Sequence, residues 1–583
     1  MKKADVVIVG GSAGGLEAAV TAQKLYKLDK IIVIRKEQKV LVPCGIPYIM
    51  GTLESIDKNV MPDALLGDAE LIVGEVTSID RGAKTVTTAK GETIGYDRLI
   101  LATGSRPVVP PIPGSDLANV FAIRKDPDYL QKLQDALKQA KDVVIIGGGF
   151  IGAEFADECH KMGLNVTVVE LLEHCLLMNC DDYFCIRIED ALREHGVQVH
   201  TSCRVESIKG DGKVDHVECE KGLRFKADVV ILSIGVTPNN ELARDAGLGI
   251  GEFKGIMVDQ YMRTSDPDIF AIGDCAEKFC FFTRKAVPIR LASIATREAR
   301  IAVANLFGLQ QSNDGTMGVF GTVIGDTAIG VAGLTERMAK KDGYSIAVGE
   351  ASAIDKHPGS MPGAREMRIR LIFEQRSGKI IGGEACGGVT AGEVSNVMAS
   401  AIANGMTAER MVTSPMGTHP MLTASPLVSQ IVNAAREADL KLKERAVVAR
   451  QEAIGRAAEL KPILIVDDEA ILREALRDWL TNAGYTVEAV ERGEEALEAI
   501  EERDFGVAIL DFKLPDKDGI EVLREARARR PQLQGILITA YPSWETAVES
   551  MKLGAIDYLS KPFSLDTLEK LVQRALVPVE PRV

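Results

Sequence analysis

The sequence predicts an α/β protein built from several parallel-sheet units, and three observations carry that prediction. Two glycine-rich loops, Gly10-Gly11-Ser12-Ala13-Gly14-Gly15 and Gly147-Gly148-Gly149-Phe150-Ile151-Gly152, each join a β-branched run to a helical stretch. From residue 462 onward, strands and helices alternate in a five-fold βα pattern. Between about 318 and 435 the pattern changes to short strands followed by a late helix, which reads as an α+β unit.

The elements follow in chain order. Asp5 to Val9 is a strand that runs into the first loop; a helix from Leu16 to about Tyr26 and a strand at Ile31 to Ile34 complete a βαβ unit. The same order recurs as Val143 to Ile146, the second loop, a helix to about Met162, and a strand from Val166 to Glu170. One such loop would be weak evidence; two, each inside strand–loop–helix–strand, predict two Rossmann-like nucleotide-binding domains. Ile369 to Phe373 is a strand of the third region, and an apolar helix is expected from Pro426 to Ala435. Arg436 to Lys461, rich in Ala, Glu, Lys and Arg, reads as a charged connecting helix, a semi-rigid linker. Pro462 then leads into Ile463 to Val466, the first strand of a flavodoxin-like (βα)5 unit extending to about Leu576.

At 583 residues the length suits about four domains. The apolar share of 46% and charged share of 26% are those of an ordinary water-soluble chain. A net charge of −14 argues against nucleic acid or an anionic membrane as partner. No apolar run approaches the roughly 20 residues needed to span a bilayer, and the start runs straight into a strand, so a cytoplasmic location is expected. In that setting the ten cysteines are most simply reduced thiols. Cys175, Cys180 and Cys185 recur at five-residue steps, and Cys275 and Cys280 repeat the interval. Metal sites usually use closer spacings with histidine partners, so inert thiols are expected there.

In each glycine loop the backbone can approach a pyrophosphate, which then rests on the N-terminus of the following helix. The second loop has Gly147, Gly149 and Gly152 in register, and Glu170 ends the next strand. A carboxylate there accepts from ribose hydroxyls and repels a 2′-phosphate, which favours NADH over NADPH. The first loop, Gly10 to Gly15, departs from the pattern. Ser12 replaces its second glycine, and Arg35 stands where an acid would end the second strand, with Glu37 as a nearby substitute. Two later segments, Leu101-Ala102-Thr103-Gly104 and Ile269-Phe270-Ala271-Ile272-Gly273-Asp274, support a flavin at this first site.

With these four ordered motifs, residues 1 to about 435 resemble the pyridine nucleotide–disulfide oxidoreductases. The resemblance implies FAD at the first loop, Thr103, Gly104 and Asp274, and NAD(P)H at the second loop. It implies an FAD domain (1–111 and 245–315) interrupted by an NAD domain (112–244). A dimerisation domain (316–435), hence a homodimer, and the linker (436–461) would follow.

Cys44 lies in Pro43-Cys44-Gly45-Ile46-Pro47-Tyr48, where the family's two-cysteine members carry a pair five residues apart; here residue 49 is Ile49. The chain therefore resembles the single-cysteine branch, which includes coenzyme A-disulfide reductases, persulfide or polysulfide reductases and NADH oxidases. A lone thiol works through a mixed disulfide, a persulfide or a sulfenic acid. Two tyrosines usual in that branch are replaced by Ser360 and Met361. His419, in Thr418-His419-Pro420, resembles the acid–base histidine of the two-cysteine enzymes, but its orienting glutamate is replaced by Ala424. His419 is thus either a proton donor or an ordinary interface histidine.

Residues 462–583 resemble response-regulator receiver domains. Asp467, Asp468 and Asp511 meet at the carboxyl edge of the sheet, where three carboxylates can hold Mg²⁺. The resemblance makes Asp511 the phosphoacceptor, Thr539 and Lys561 its phosphoryl contacts, and Tyr558 a switching aromatic. It also implies a cis Lys561–Pro562 bond and a histidine kinase or phosphotransfer protein as partner. With 22 residues after Lys561, no DNA-binding output domain is expected there.

The function expected is NADH-dependent, FAD-mediated reduction of a small disulfide, polysulfide or persulfide at Cys44, under receiver control. An NADH oxidase using a Cys44 sulfenic acid shares every motif. A redox-sensing signalling protein is the alternative of another class.

Overall fold

The computed structural model describes residues 2–458, 460–540 and 555–576. They fall into two compact units, Met1–Leu440 and Lys441–Val583.

The first unit contains two nucleotide-type sheets. In the first, Lys2–Val9 is central, with Ile31–Arg35 and Thr93–Leu101 parallel on its two sides and Glu70–Val73 beyond. Val6, Val7 and Ile8 are all fully buried rather than alternating, as expected of a parallel strand covered on both faces. The chain then departs and returns: Ile269–Ala271 pairs in parallel with Leu99–Leu101. Inserted between these strands is a five-stranded parallel sheet, in the order Val120–Ala122, Val229–Leu232, Asp142–Ile146, Asn165–Val169 and Gln198–His200. The remainder forms a five-stranded antiparallel sheet from Val319–Ile324 to Ile380–Gly387, packed by the helix Ala391–Ala403. This fits the α+β character read from the sequence.

One expected boundary is corrected. Pro426–Val428 is a short 3-10 turn, and a single helix then runs from Gln430 to Ala458. The apolar segment and the charged segment are therefore one helix, not two elements meeting at 435/436. No proline or glycine interrupts it before Gly455, so the backbone ladder has no reason to stop. Ala434, Ala435 and Ala438 are fully buried against the first unit, whereas Leu440 is exposed.

The second unit is a parallel sheet in the order Val487–Val490, Ile463–Val466, Val507–Asp511, Gln534–Thr539 and Ala555–Ser560. Helices Ala470–Asn482, Gly493–Glu502, Gly519–Arg529 and Leu565–Leu576 accompany it. The fourth helix of the expected five-fold pattern falls in 541–554, and the expected end of the unit in 577–583, both outside the described residues. The strand order 2-1-3-4-5 brings the ends of the first and third strands side by side, which creates the crevice where such sheets bind ligands.

Among the described residues no helix is long and apolar enough to cross a membrane.

Candidate active site and phosphoacceptor site

Both glycine loops have the backbone that a pyrophosphate cradle requires. Gly10 and Gly147 lie at φ of 115° and 105°, in the region L side chains avoid. A Cβ on Gly10 would sit 2.1 Å from the Ala102 carbonyl oxygen, so the first loop and the Leu101–Gly104 segment are in close apposition. A Cβ on Gly149, by contrast, would meet no protein atom within 4 Å. That side of the second loop is open for a ligand. Ser12 and Gly149 are the N-caps of the helices Ala13–Leu25 and Phe150–Lys161, and neither helix start is closed by a capping side chain. The free N–H groups of both helix starts thus fit a dinucleotide phosphate.

Thr103 and Gly104 are held by Asn239: Thr103 Oγ1 donates to its carbonyl at 2.8 Å, and Asn239 N donates to the Gly104 carbonyl at 3.0 Å. Asp274 follows the returning strand and accepts from Ser105 Oγ at 2.7 Å and Lys125 Nζ at 3.2 Å. Burial alone would push its carboxyl up, but Lys125 and Ser105 outweigh burial and hold it below the usual range. Glu170 Oε2 accepts from Gly148 N at 2.6 Å and Oε1 from Leu172 N at 2.8 Å, so its carboxylate is fixed against the second loop.

Arg35 does not face outward as a ribose contact. It is buried; Nε donates to the Glu37 carbonyl at 2.9 Å, and its terminal nitrogen donates to Gln38 O and Asp63 Oδ1. Its alkyl chain lies against Gly11, where a Cβ would come within 2.7 Å of Cδ. The arginine is a brace for the first loop.

All ten cysteines are free; nine are buried and Cys44 is exposed. It sits on the 3-10 turn Pro43–Gly45, followed by a second turn, Pro47–Ile49. Cys175, Cys180 and Cys185 are core residues, as expected of inert thiols. Although the residue is exposed, partial desolvation by its neighbours pushes the Cys44 thiol up, with Glu154 and Asp274 adding, while Lys125 pulls it down. Lys125 is therefore the neighbour that favours the thiolate.

Sequence reasoning missed Glu154 and Glu158, which lie one helical turn apart on Phe150–Lys161. Glu158 is fully buried and accepts from Thr52 N at 2.6 Å, Gly51 N at 3.2 Å and Thr52 Oγ1 at 2.8 Å. It clamps the segment just after the cysteine turns. Glu154 accepts from Thr322 Oγ1 at 2.9 Å, and burial pushes its carboxyl up to about 7. Their spacing in a sequence reads only as a polar helix face.

His419 is exposed, on the loop before the long helix. Its Nδ1 accepts from Met421 N at 3.2 Å. An orienting carboxylate would need that nitrogen as a donor, so the Ala424 replacement is accompanied by the opposite hydrogen-bond polarity.

In the second unit, oxygens of Asp467, Asp468 and Asp511 lie within 4.8 Å of one another, a set of hard donors suited to Mg²⁺. Lys561 Nζ donates to Asp511 at 2.6 Å, Glu469 at 3.0 Å and Asp467 at 3.1 Å. Burial pulls the ammonium down, but these three carboxylates prevail and hold it well above its usual range. Burial, with Asp511 adding, pushes Asp467 up to about 6 against the pull of Lys561. Thr539 ends its strand, buried, and its carbonyl accepts from Lys561 N at 2.8 Å. Lys561–Pro562 is cis, and Tyr558 is half-buried on the neighbouring strand.

The pyridine nucleotide-disulphide oxidoreductase family matches residues 4–299, and its dimerisation domain matches 319–427. The response regulator receiver domain matches 463–573. An NADH oxidase of Methanocaldococcus jannaschii is 34% identical over 64% of this chain and 86% of its own length. An NAD(P)H coenzyme A polysulfide/persulfide reductase of Pyrococcus horikoshii is 32% identical over 66% of this chain and 87% of its own. The solved NAD-dependent persulfide reductase of A. fulgidus superposes with a TM-score of 0.69 at 26% identity, covering 95% of this chain and 98% of that one. With its two nucleotide loops, its exposed thiol and its acidic crevice, the chain belongs to the pyridine nucleotide-disulphide oxidoreductases: an NAD(P)H-oxidising flavoenzyme fused to a response-regulator receiver domain.

Proposed function

We propose that the chain reduces a small disulfide, polysulfide or persulfide of coenzyme A type with electrons from NADH, through Cys44. The observation that carries this reading is the exposure of Cys44, alone among ten free cysteines, beside Lys125, Asp274 and Glu154. The names of the P. horikoshii and A. fulgidus proteins, both sulfur reductases, point the same way.

Gly10, Ser12, Gly15, Thr103, Gly104 and Asp274 would hold FAD, which when bound carries the electron pair from nicotinamide to sulfur. Gly147, Gly149, Gly152 and Glu170 would hold NADH, and the carboxylate of Glu170 selects against a 2′-phosphate. The Cys44 thiolate attacks one sulfur of the substrate; the S–S bond breaks, a Cys44 mixed disulfide forms, and one thiolate leaves. Two electrons then cleave the mixed disulfide, release the second thiol and restore Cys44. The balance is NADH + H⁺ + RSSR′ → NAD⁺ + RSH + R′SH. His419, whose Nδ1 accepts from Met421 N and so leaves Nε2 to carry the proton, would serve as a hydrogen-bond donor to the leaving sulfur, in a homodimer formed through the dimerisation domain.

In the receiver, Asp467, Asp468 and Asp511 would hold Mg²⁺, which neutralises the incoming phosphoryl oxygens. Asp511 takes the phosphoryl group from a phosphohistidine of a kinase or phosphotransfer protein; the P–N bond breaks as the aspartyl P–O bond forms. Thr539 and Lys561 bind the transferred oxygens, and phosphorylation modulates turnover of the redox unit.

The name of the M. jannaschii relative favours a second reading, an NADH oxidase. The test is NADH oxidation without oxygen, using coenzyme A disulfide or polysulfide, by wild type and Cys44→Ser. Sulfur-dependent turnover lost in Cys44→Ser is the expected result. Turnover with oxygen alone would overturn it in favour of the oxidase.

A further inference from the structure

We propose that Lys125, supplied by the NAD-type half of the first unit, belongs to the FAD site: it neutralises the carboxylate of Asp274 so that this acid can serve a cofactor carrying an anionic pyrophosphate. The inference rests on the assignment of Asp274 to FAD made above and is independent of the substrate reduced.

Three segments meet at this carboxylate. Asp274 lies on the turn Gly273–Cys275, after the strand Ile269–Ala271 that returns to the first sheet. Ser105 opens the strand Ser105–Pro107, which pairs with Val236–Pro238 where the chain passes between the two sheets. Lys125 follows Val120–Ala122, an edge strand of the second sheet, and precedes the helix Pro127–Lys138. Ser105 Oγ donates to Asp274 Oδ2 at 2.7 Å, and Lys125 Nζ donates to the same oxygen at 3.2 Å. Lys125 Nζ also reaches Ser105 Oγ at 3.5 Å, which closes a triangle.

The triangle prepares the carboxylate for a ligand. Both donors are spent on Oδ2, and no described residue donates to Oδ1. That oxygen is left to accept from a hydroxyl of the cofactor. The turn also abuts the first glycine loop: Ile272 N donates to the Leu101 carbonyl at 2.9 Å, and a Cβ on Gly14 would lie 3.5 Å from Ile272 Cδ1. A pyrophosphate on that loop adds negative charge on the side of the fold where Asp274, 16% exposed, already carries one. A cation on Oδ2 removes the conflict.

The other cations of this region are committed elsewhere. Lys278 Nζ donates to Glu298 and to the carbonyls of Gly273 and Ala276. Arg290 gives its terminal nitrogens to the Pro288 and Phe253 carbonyls, and Arg106 is bound to Glu241 and Asn239. Arg124, next to Lys125, lies over the Tyr129 ring. Lys125 and Ser105 hold the Asp274 carboxyl below the usual range against the effect of burial, so it is ionised.

The test follows FAD release from full-length holoenzyme on dilution, read by the rise in flavin fluorescence. Lys125 is half-exposed, so Lys125→Met leaves the core intact. It should raise the dissociation constant of FAD about tenfold, the worth of one hydrogen bond to a charged group. Lys125→Arg, which keeps the cation, should stay within about threefold of wild type. Asp274→Asn should weaken FAD as well, and Lys125→Met added to it should cost less than about twofold more, because the charge to be neutralised is gone. An unchanged dissociation constant in Lys125→Met would overturn the proposal. So would an equal loss in both backgrounds, which would make Lys125 a direct phosphate ligand or a brace between the two sheets. If Asp274→Asn holds FAD as tightly as wild type, the assignment of Asp274 to the flavin has failed; if Asp274→Asn weakens FAD and Lys125→Met does not, this inference alone has failed.

Discussion

Replacing Lys278 by methionine should loosen the flavin half of the first unit more than any surface change nearby. Lys278 and Glu298 side chains are 3% and 1% exposed, and their charged atoms are 2.9 Å apart. The pair grips one turn from both sides: Glu298 Oε2 accepts from Gly273 N at 2.8 Å, while Lys278 Nζ donates to the carbonyls of Gly273 and Ala276. That turn carries Asp274. Removing one member of a buried pair leaves the other charge without compensation and costs about 3–5 kcal/mol. Spread over the Met1–Leu440 unit, the loss is a fall of roughly 3–5 °C in melting temperature. Flavin fluorescence, which rises when FAD is released, reports it locally. Burial already pushes the Glu298 carboxyl up despite Lys278, and losing Lys278 raises it further. A carboxyl raised on folding binds more protons in the folded state, so stability falls as pH rises from the unfolded pKa to the folded one. The deficit of Lys278→Met should therefore be smallest in acid and grow toward neutral pH. Adding Glu298→Gln, which can still accept from Gly273 N, should recover part of the loss. A shift below about 2 °C, the same at every pH and not relieved in the double variant, would refute this reasoning.

Three further outcomes are expected. Gly149→Ala should fold normally but raise the KM for NADH by at least about tenfold, because its Cβ enters open ligand space, whereas Gly152→Ala, 2.0 Å from the Gly147 carbonyl oxygen, should lower the melting temperature. Glu170→Gln should narrow the NADH over NADPH preference in kcat/KM by about tenfold, or 1.4 kcal/mol, by removing the charge that repels a 2′-phosphate. Asp511→Asn should abolish Mg²⁺-dependent labelling by acetyl phosphate, while Lys561→Ala should keep the metal cluster but slow or destabilise the acyl phosphate, read by phosphate-affinity electrophoresis.

Local signals were the legible ones. Gly10 and Gly147 could be read because a pyrophosphate loop needs its glycines within a few residues, bounded by a strand and a helix. Asp467, Asp511, Thr539 and Lys561 could be read because each ends a strand of one regular pattern. Cys44 stood out by its flanking Pro43 and Gly45. What the sequence did not show was long-range. Glu154 and Glu158 belong to a helix about 100 residues beyond the turns they serve, and helical periodicity records a face without naming its neighbour. Arg35 sat where a ribose contact was expected, but its partner Asp63 lies 28 residues away across a loop. The Lys278–Glu298 pair is two ordinary charged residues until folding removes water from both. The join at 435/436 was misplaced because composition changes there and the backbone does not: the apolar face of the helix ends before the helix does.

The most direct test of the sulfur chemistry at Cys44 is to mix oxidised, NADH-free enzyme with excess coenzyme A disulfide, quench in acid and weigh the peptide that contains Cys44. The account predicts the mass of one coenzyme A thiol joined to Cys44, absent from the nine buried cysteines and removed when NADH is added before the quench. An unmodified Cys44, or an adduct that NADH does not remove, would contradict it.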